Sequence, residues 1–233
     1  MNTQLNLFEF STPSMPILDV SRCHSRPVNY QTAANMVETY HYAHRVPSIV
    51  LAIGMYVDDV LAGVCCYGIP ASLNVQSVCG IEYAQSTLEL NRLFIHEWAG
   101  HNSESWLIGQ SFRWLEKNRK DINILVSYAD TAQNHRGMIY RATNWLYTGL
   151  SETSGIGDTM IIEGKHYHRK NLYNMIGTQS RSVVKKYFPD VEFVSNSNKH
   201  RYIMLLGDKR TKQALRAKLK YPVLPYPKGD KQS

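Results

Sequence analysis

Polar and apolar positions divide the chain into segments of different character. The first ~28 residues are rich in Ser and Pro and hold no sustained period, which predicts an irregular N-terminal arm over 1–28. "NYQTAANMVETYHYAHR" then sets Met36, Val37 and Tyr40 on one helical face, and this helix is expected to stop before Pro47. "SIVLAIGMYV" and "VLAGVCCYG" flank Asp58 and Asp59, the pattern of a hairpin of buried strands. "STLELNRLFIH" alternates as a further strand, with Leu88, Leu90, Arg92 and Phe94 on one face and Glu89, Asn91, Leu93 and Ile95 on the other.

After the loop "EWAGHNSES", Ile108, Phe112 and Leu115 mark the inner stripe of an amphipathic helix that ends in the polar run Glu116 to Asp121. "INILVSYAD" reads as a short buried central strand, "NHRGMIYRAT" as a short helix and "WLYTG" as a closing strand. This order predicts a layered α/β core over 29–155. Past Gly155 the pattern weakens. Short strands "TMIIEG" and "RYIMLLG" surround the helical "SRSVVKKYF", predicting a basic α/β extension of the same domain over 156–220 that contacts nucleic acid, and "YPVLPYPKGDKQS" reads as a flexible tail over 221–233. No internal repeat is visible.

A chain of 233 residues, 43% hydrophobic, can bury one large core. It has no run of ~20 apolar residues and no basic region before the apolar residues of "MNTQLNLFEF", so a soluble, cytoplasmic protein without membrane contact is expected. Cys23, Cys65, Cys66 and Cys79 lack CxxC spacing, and the Cys65-Cys66 pair lies in an apolar run, as small core residues do. No feature specifies an oligomeric state.

Charge changes the picture. The formal net charge is +7, and 16 of the 26 Lys and Arg lie from Lys165 onward, interleaved with Tyr167, Tyr173, Tyr187, Phe188 and Tyr202. Cations for phosphates beside rings for bases predict a nucleic-acid surface formed by Lys165, His166, His168, Arg169, Lys170, Lys185, Lys186, Lys199 and Arg201. A solvated basic surface is the competing account.

Several residue sets carry candidate chemistry. Asp130 ends the central strand, where open α/β sheets place their sites, and a carboxylate there can accept a proton or hydrogen bond from an exocyclic amine; it can equally cap the next turn. Arg92 among apolar neighbours should face a bound phosphate or acyl group, or pair with Glu89 or Glu82. "GHNSES" opens a helix, so its backbone N–H groups with Asn102, Ser103 and Ser105 make an anion site. His96 and His101 in "HEWAGH" are five apart, which breaks the HExxH zinc spacing. His135 is either a second base or a loop residue. In "YHYAHRVP", His41 and His44 share a helical face but are only two ligands, an incomplete metal site.

The element order, with "MIYRATNWLYTG" after the central strand, resembles the GNAT acyltransferase superfamily and implies a GNAT-like mixed central sheet flanked by helices, with a basic C-terminal extension. More specifically, "YHYAHRVPS", "GVCCYGIP", "LELNRLFI", "NSESWLIGQSFRWL", "ILVSYADTAQNHRGMIYRATNWLYTG" and "KHRYIMLL", over roughly 30–205, resemble the Mom DNA-modification proteins of Mu-like phages. That resemblance implies conversion of adenine N6 in duplex DNA to N6-carbamoylmethyladenine, which shields phage DNA from host restriction in the host cytoplasm. It also implies a catalytic set of His41 and Tyr42, which align with the "HY" of Mom proteins, together with Asp130 and Tyr140. His41 would move a proton, Tyr42 would hold the base, and Tyr140 matches the Tyr with which GNAT enzymes protonate a leaving group.

The donor would sit on Arg92, Asn102, Ser103 and Ser105. The chain departs from acetyl-CoA enzymes in having only Gly100 where they carry a Gly-rich loop, which opens the donor to an activated glycine or acyl unit, on glycyl-tRNA or on an acyl-CoA. Double-stranded DNA, and tRNA as carrier, are then the expected partners. His41, Asp130 and Tyr140 together would suit iron, as Fe(II). The competing functions are a GNAT N-acyltransferase for a protein or small-molecule amine, and a non-catalytic nucleic-acid-binding module.

Overall fold

The computed structural model describes residues 17–42, 44–131, 137–151, 159–178, 180–194 and 198–227; for 159, 166 and 168–171 it describes the backbone only. The expected arm over 1–16, His135, the 155/156 boundary and the last residues of the tail lie outside the described residues. Two compact units make up the chain: one holds residues up to Gln76 with Gln85–Asn123, the other Ser77–Ala84 with the chain from Ile124 onward. Each unit combines β-strands with helices, the mixed α/β class expected from sequence. No helix among the described residues is long and apolar enough to cross a membrane.

The first unit comprises β1 (Cys23–Pro27), α1 (Tyr30–Tyr40), β2 (Leu51–Val57), β3 (Val60–Gly68), α2 (Leu73–Gln76), β4 (Thr87–Ile95) and α3 (Ser103–Asn118). Strands β1-β2-β3-β4 are successive antiparallel neighbours. Asp58 and Asp59 both take positive φ (46° and 64°), the conformation a two-residue hairpin needs to match the strand twist. On one face of the strands, Ala33, Met36 and Val37 of α1 pack against Ala52, Val64 and Cys66. The alternate residues of β3 face α3, where the Tyr67 hydroxyl and Ser111 Oγ are 2.6 Å apart.

Three expectations for this unit are corrected. Residues 23–27 form an edge strand, in register His24 to Tyr56, so the N-terminal arm is not irregular to residue 28. Helix α1, capped by Asn29 on the Thr32 N–H, ends at Tyr40; His41 is already extended (φ −75°, ψ 135°), so His41 and His44 do not share a helical face. In β4, Cys66 pairs with Arg92 but Tyr67 with Leu90, leaving Asn91 as the extra residue of a β-bulge. The bulge reverses the alternation. Arg92 and Phe94 therefore share the α1 face with Cys66 and Val64, while Leu90 and Leu93 lie on the other, and the strict period-2 reading of this strand fails.

The second unit comprises β5 (Ile124–Asp130), α4 (Met138–Ala142), β6 (Leu146–Leu150), β7 (Thr159–Ile162), β8 (Lys165–His168), α5 (Arg169–Ile176), α6 (Arg181–Tyr187), β9 (Glu192–Val194), β10 (Lys199–Leu205) and α7 (Lys209–Ala217). β10 lies antiparallel between β5 and β6, so the C-terminal region supplies an inner strand of the core sheet rather than an appendage to it. A second small sheet, β8-β7-β9, closes its own core of Met160, Ile162, Leu172, Val184 and Val191 with α5 and α6. Residues 221–227 are docked, not free. The Leu224 N–H donates to the Tyr147 carbonyl (2.9 Å) and the Tyr226 hydroxyl to the Trp145 carbonyl (2.6 Å), which covers the edge of β6 and corrects the expected flexible tail up to residue 227.

Candidate active-site residues

The first unit gathers His41, Tyr42, His44, Arg45 and Arg92. Leaving the helix at Tyr40 turns His41 inward, to 7% exposure, while Tyr42, at 61% exposure, stacks on its ring (centroids 4.3 Å). Burial, then the fields of Arg92 and His44, push the His41 imidazole down to about 4, so it is neutral at physiological pH. A neutral imidazole can accept a proton, although this one is a weak base. Arg92 makes no ion pair among the described residues. Its Nη1 donates to the Asn91 carbonyl (2.7 Å) and its Nε to the Arg45 carbonyl (3.4 Å), and Glu82 pairs with Lys218 instead.

Sequence reasoning did not anticipate the aromatic row beside these residues. Tyr40 stacks on Phe94 (5.6 Å, 13°) and meets His96 edge-on (4.7 Å), and His96 stacks on Trp98 (6.0 Å, 18°). Tyr40 and Trp98 are half exposed, at 52% and 49%. The signal was present as Phe94 and His96 two apart at a strand end, and the β4 bulge brings them to the face of α1.

At the start of α3, Gly100 (φ 94°) and Asn102 (φ 70°) turn the chain into the helix. Ser103 Oγ donates to the Gly100 carbonyl (2.7 Å) and Ser105 Oγ to the Asn102 carbonyl (3.0 Å). The first helical bond runs from the Trp106 N–H to the Asn102 carbonyl. Both hydroxyl protons are thus held locally, and the donors this turn offers an anion are its backbone N–H groups.

In the second unit, Asp130 ends β5 as expected, paired across the ladder with Lys199; its Oδ2 lies 3.8 Å from Lys199 Nζ. Tyr140 lies on α4 but in the core. Its hydroxyl and Ser127 Oγ are 2.7 Å apart, and its ring stacks on Tyr202 (4.7 Å) and meets Trp145 edge-on. Gly137 (φ 69°) begins this helix, and a Cβ there would come within 2.5–2.6 Å of the Tyr202 ring.

The predicted nucleic-acid set divides. Lys165, Lys185 and Lys186 are exposed, as are Tyr173 and Tyr187; the side chains of His166, His168, Arg169 and Lys170 lie outside the described residues. Arg201 is corrected. It is 8% exposed, its Nε donates to Thr148 Oγ1 (3.0 Å) and its Nη2 to the Thr148 carbonyl (2.9 Å), and it lies 3.3 Å over the Tyr221 ring, so it faces inward. Tyr202 is fully buried, its hydroxyl pushed up by desolvation, and Tyr167 and Phe188 pack on the small core, so none of these three is a free stacking ring.

Among the described residues no three His, Cys, Asp or Glu side chains come together as a metal site, and the Tyr140 hydroxyl is taken by Ser127 in the core. The four cysteines are free thiols. Cys65 and Cys66 are fully buried and pushed up to about 12 by desolvation, as small core residues rather than nucleophiles.

Comparison with known proteins adds the family. "Methylcarbamoylase mom" of Escherichia phage Mu is 27% identical over 198 residues, covering 84% of this chain and 80% of that protein. Among solved structures, yncA of Salmonella typhimurium with acetyl-CoA is 10% identical (80% of this chain, 95% of that chain, TM-score 0.47). An N-acetyltransferase from Staphylococcus aureus Mu50 is 9% identical (78% and 97%, TM-score 0.45). The model of the Mom protein family matches residues 22–228 of the 233, and the chain belongs to that family.

Proposed function

We propose that this protein is a DNA-modifying transferase that converts N6 of adenine in duplex DNA to N6-carbamoylmethyladenine and so protects phage DNA from restriction. The observation that carries the reading is the match along 84% of the chain to a relative named a methylcarbamoylase, within a family whose model spans almost the whole sequence. N6 attacks the carbonyl carbon of an activated glycyl unit, the ester or thioester bond to the carrier breaks with its electron pair leaving on the carrier, and one N6 proton is released. Attack of the glycyl amine on C6, with the original N6 departing as the amide nitrogen, turns this adduct into its isomer N6-carbamoylmethyladenine. Asp130, at the end of β5, accepts a hydrogen bond from that amine, and neutral His41 is the base for the proton. Tyr140 holds its catalytic assignment through the family motif; the geometry supports an indirect part, through Ser127.

N6 is paired inside the duplex, so the adenine must leave the stack. The half-exposed rings of Tyr40, Tyr42 and Trp98 supply surfaces on which an extruded base can stack. The donor is an activated glycine or acyl unit on glycyl-tRNA or an acyl-CoA, with Arg92 and the first turn of α3, at Asn102, Ser103 and Ser105, as its anion contacts. Lys165, Lys185, Lys186 and Lys199 face the nucleic acid.

Plasmid DNA recovered from cells expressing the protein tests the reading. Resistance to endonucleases whose sites contain adenine, lost in the Asp130→Asn variant, is the expected result. Cleavage equal to that of DNA from cells without the protein would sink it.

A further inference from the structure

Helix α7 lies beyond every residue assigned above to nucleic-acid contact, yet it holds the strongest charge imbalance in the chain. Residues 198–227 carry eight Lys and Arg against the single acid Asp208, a net +7 equal to that of the whole protein. Outside this segment acids and bases balance. Within it, Arg201 is buried, Lys218 is held by Glu82 and Lys220 by Ser77, and Lys199 already belongs to the nucleic-acid surface proposed above. The further exposed cations of the segment lie on α7.

The helix is built for display. Asp208 caps it on the Thr211 N–H (2.7 Å), and Leu215 is its one buried residue. Lys209, Lys212 and Arg216 follow at i, i+3 and i+7, which places them in one stripe, all exposed. Lys209, Arg210 and Arg216 have no ion-pair partner among the described residues. At ~1.5 Å rise per residue the stripe is about 10 Å long, which spans roughly three base-pair steps of a duplex at ~3.4 Å each along its axis. The other exposed residues, Gln213, Ala214 and Ala217, offer no large apolar side chain, so the helix lacks the face that insertion into a lipid surface requires.

We propose that α7 binds the sugar-phosphate backbone of duplex DNA through Lys209, Lys212 and Arg216, holding the substrate without reading its sequence. The inference rests on the reading of duplex DNA as substrate. Because phosphate contacts release counterions, each one steepens the dependence of affinity on salt, by about 0.9 in the log–log slope.

The test is fluorescence anisotropy of a short labelled duplex across a KCl series, with wild-type protein and the K209Q/K212Q/R216Q variant, whose circular dichroism melts must coincide. The variant is expected to flatten the slope by about 2 to 3 and to weaken binding on the order of 100-fold at low salt. Wild-type protein that binds the duplex with a steep slope, matched by the variant, overturns the inference and leaves the DNA reading standing. Wild-type protein that binds no duplex at any salt, while binding phosphatidylserine vesicles through the same residues, overturns both.

Discussion

Replacing Arg201 by alanine removes three contacts that hold the last described residues of the chain against β6 and β10. Two are hydrogen bonds from a charged donor to Thr148, each worth roughly 1.5–3 kcal/mol, and the third is the cation–π contact with Tyr221, worth roughly 0.5–2 kcal/mol. Contacts made by one side chain are not additive, so the expected loss is about 3–5 kcal/mol. For a chain of this size each kcal/mol shifts the melting temperature by about 2–4 °C, and a drop on the order of 10 °C is expected by circular dichroism. Arg201→Lys keeps the charge but loses the fork that reaches both oxygens of Thr148, and it should fall between wild type and alanine. Measured well below the melting temperature, the salt dependence of DNA binding should not change in either variant. An alanine variant with unaltered melting and a log–log salt slope flatter by about 0.9 would show that Arg201 is a phosphate contact and refute the buried assignment.

Further outcomes follow from the same geometry. His41 has a folded pKa of about 4 against an unfolded value near 6.5, so its stabilisation is complete above about 6.5 and is lost as the pH falls toward 4, by about 3 kcal/mol. Urea midpoints at about pH 7 and pH 4.5 should therefore diverge more for wild type than for His41→Gln, and equal divergence would contradict the burial argument. Gly137→Ala forces a Cβ into the Tyr202 ring at a positive φ and should destabilise by roughly 2–4 kcal/mol in urea unfolding. Asp130→Asn weakens a 3.8 Å pair with the half-exposed Lys199, so its melting temperature should move by no more than about 2 °C while modification of DNA is abolished. A variant that melts much lower would assign Asp130 to the fold.

Elements whose signal is local were legible in the sequence. The β2–β3 hairpin stands out because two aspartates interrupt apolar runs, and α3 because its buried positions recur at helical spacing. What escaped depended on partners far along the chain. β1 has little apolar content and becomes a strand because β2 offers it an edge. The end of α1 is invisible in a run of aromatic residues equally compatible with helix and extended chain. One extra residue at Asn91 moves Arg92 to the other face, which no alternation count detects. Arg201 and Tyr202 match a basic, aromatic surface pattern but are buried because β10 lies between two strands. α7 has a single buried residue, too few to create an apolar period. Among the candidate residues, the place of Asp130 at a strand end was legible in the sequence. The neutrality of His41 was not, because it follows from burial and from Arg92, which only the fold brings near.

The central claim, that adenine N6 in DNA is the group modified, is tested most directly by digesting DNA from expressing cells to nucleosides and separating them by liquid chromatography with mass detection. A nucleoside with the mass and fragmentation of N6-carbamoylmethyldeoxyadenosine, absent with Asp130→Asn, is the predicted result. Deoxyadenosine unmodified in DNA from cells that accumulate folded wild-type protein would contradict it.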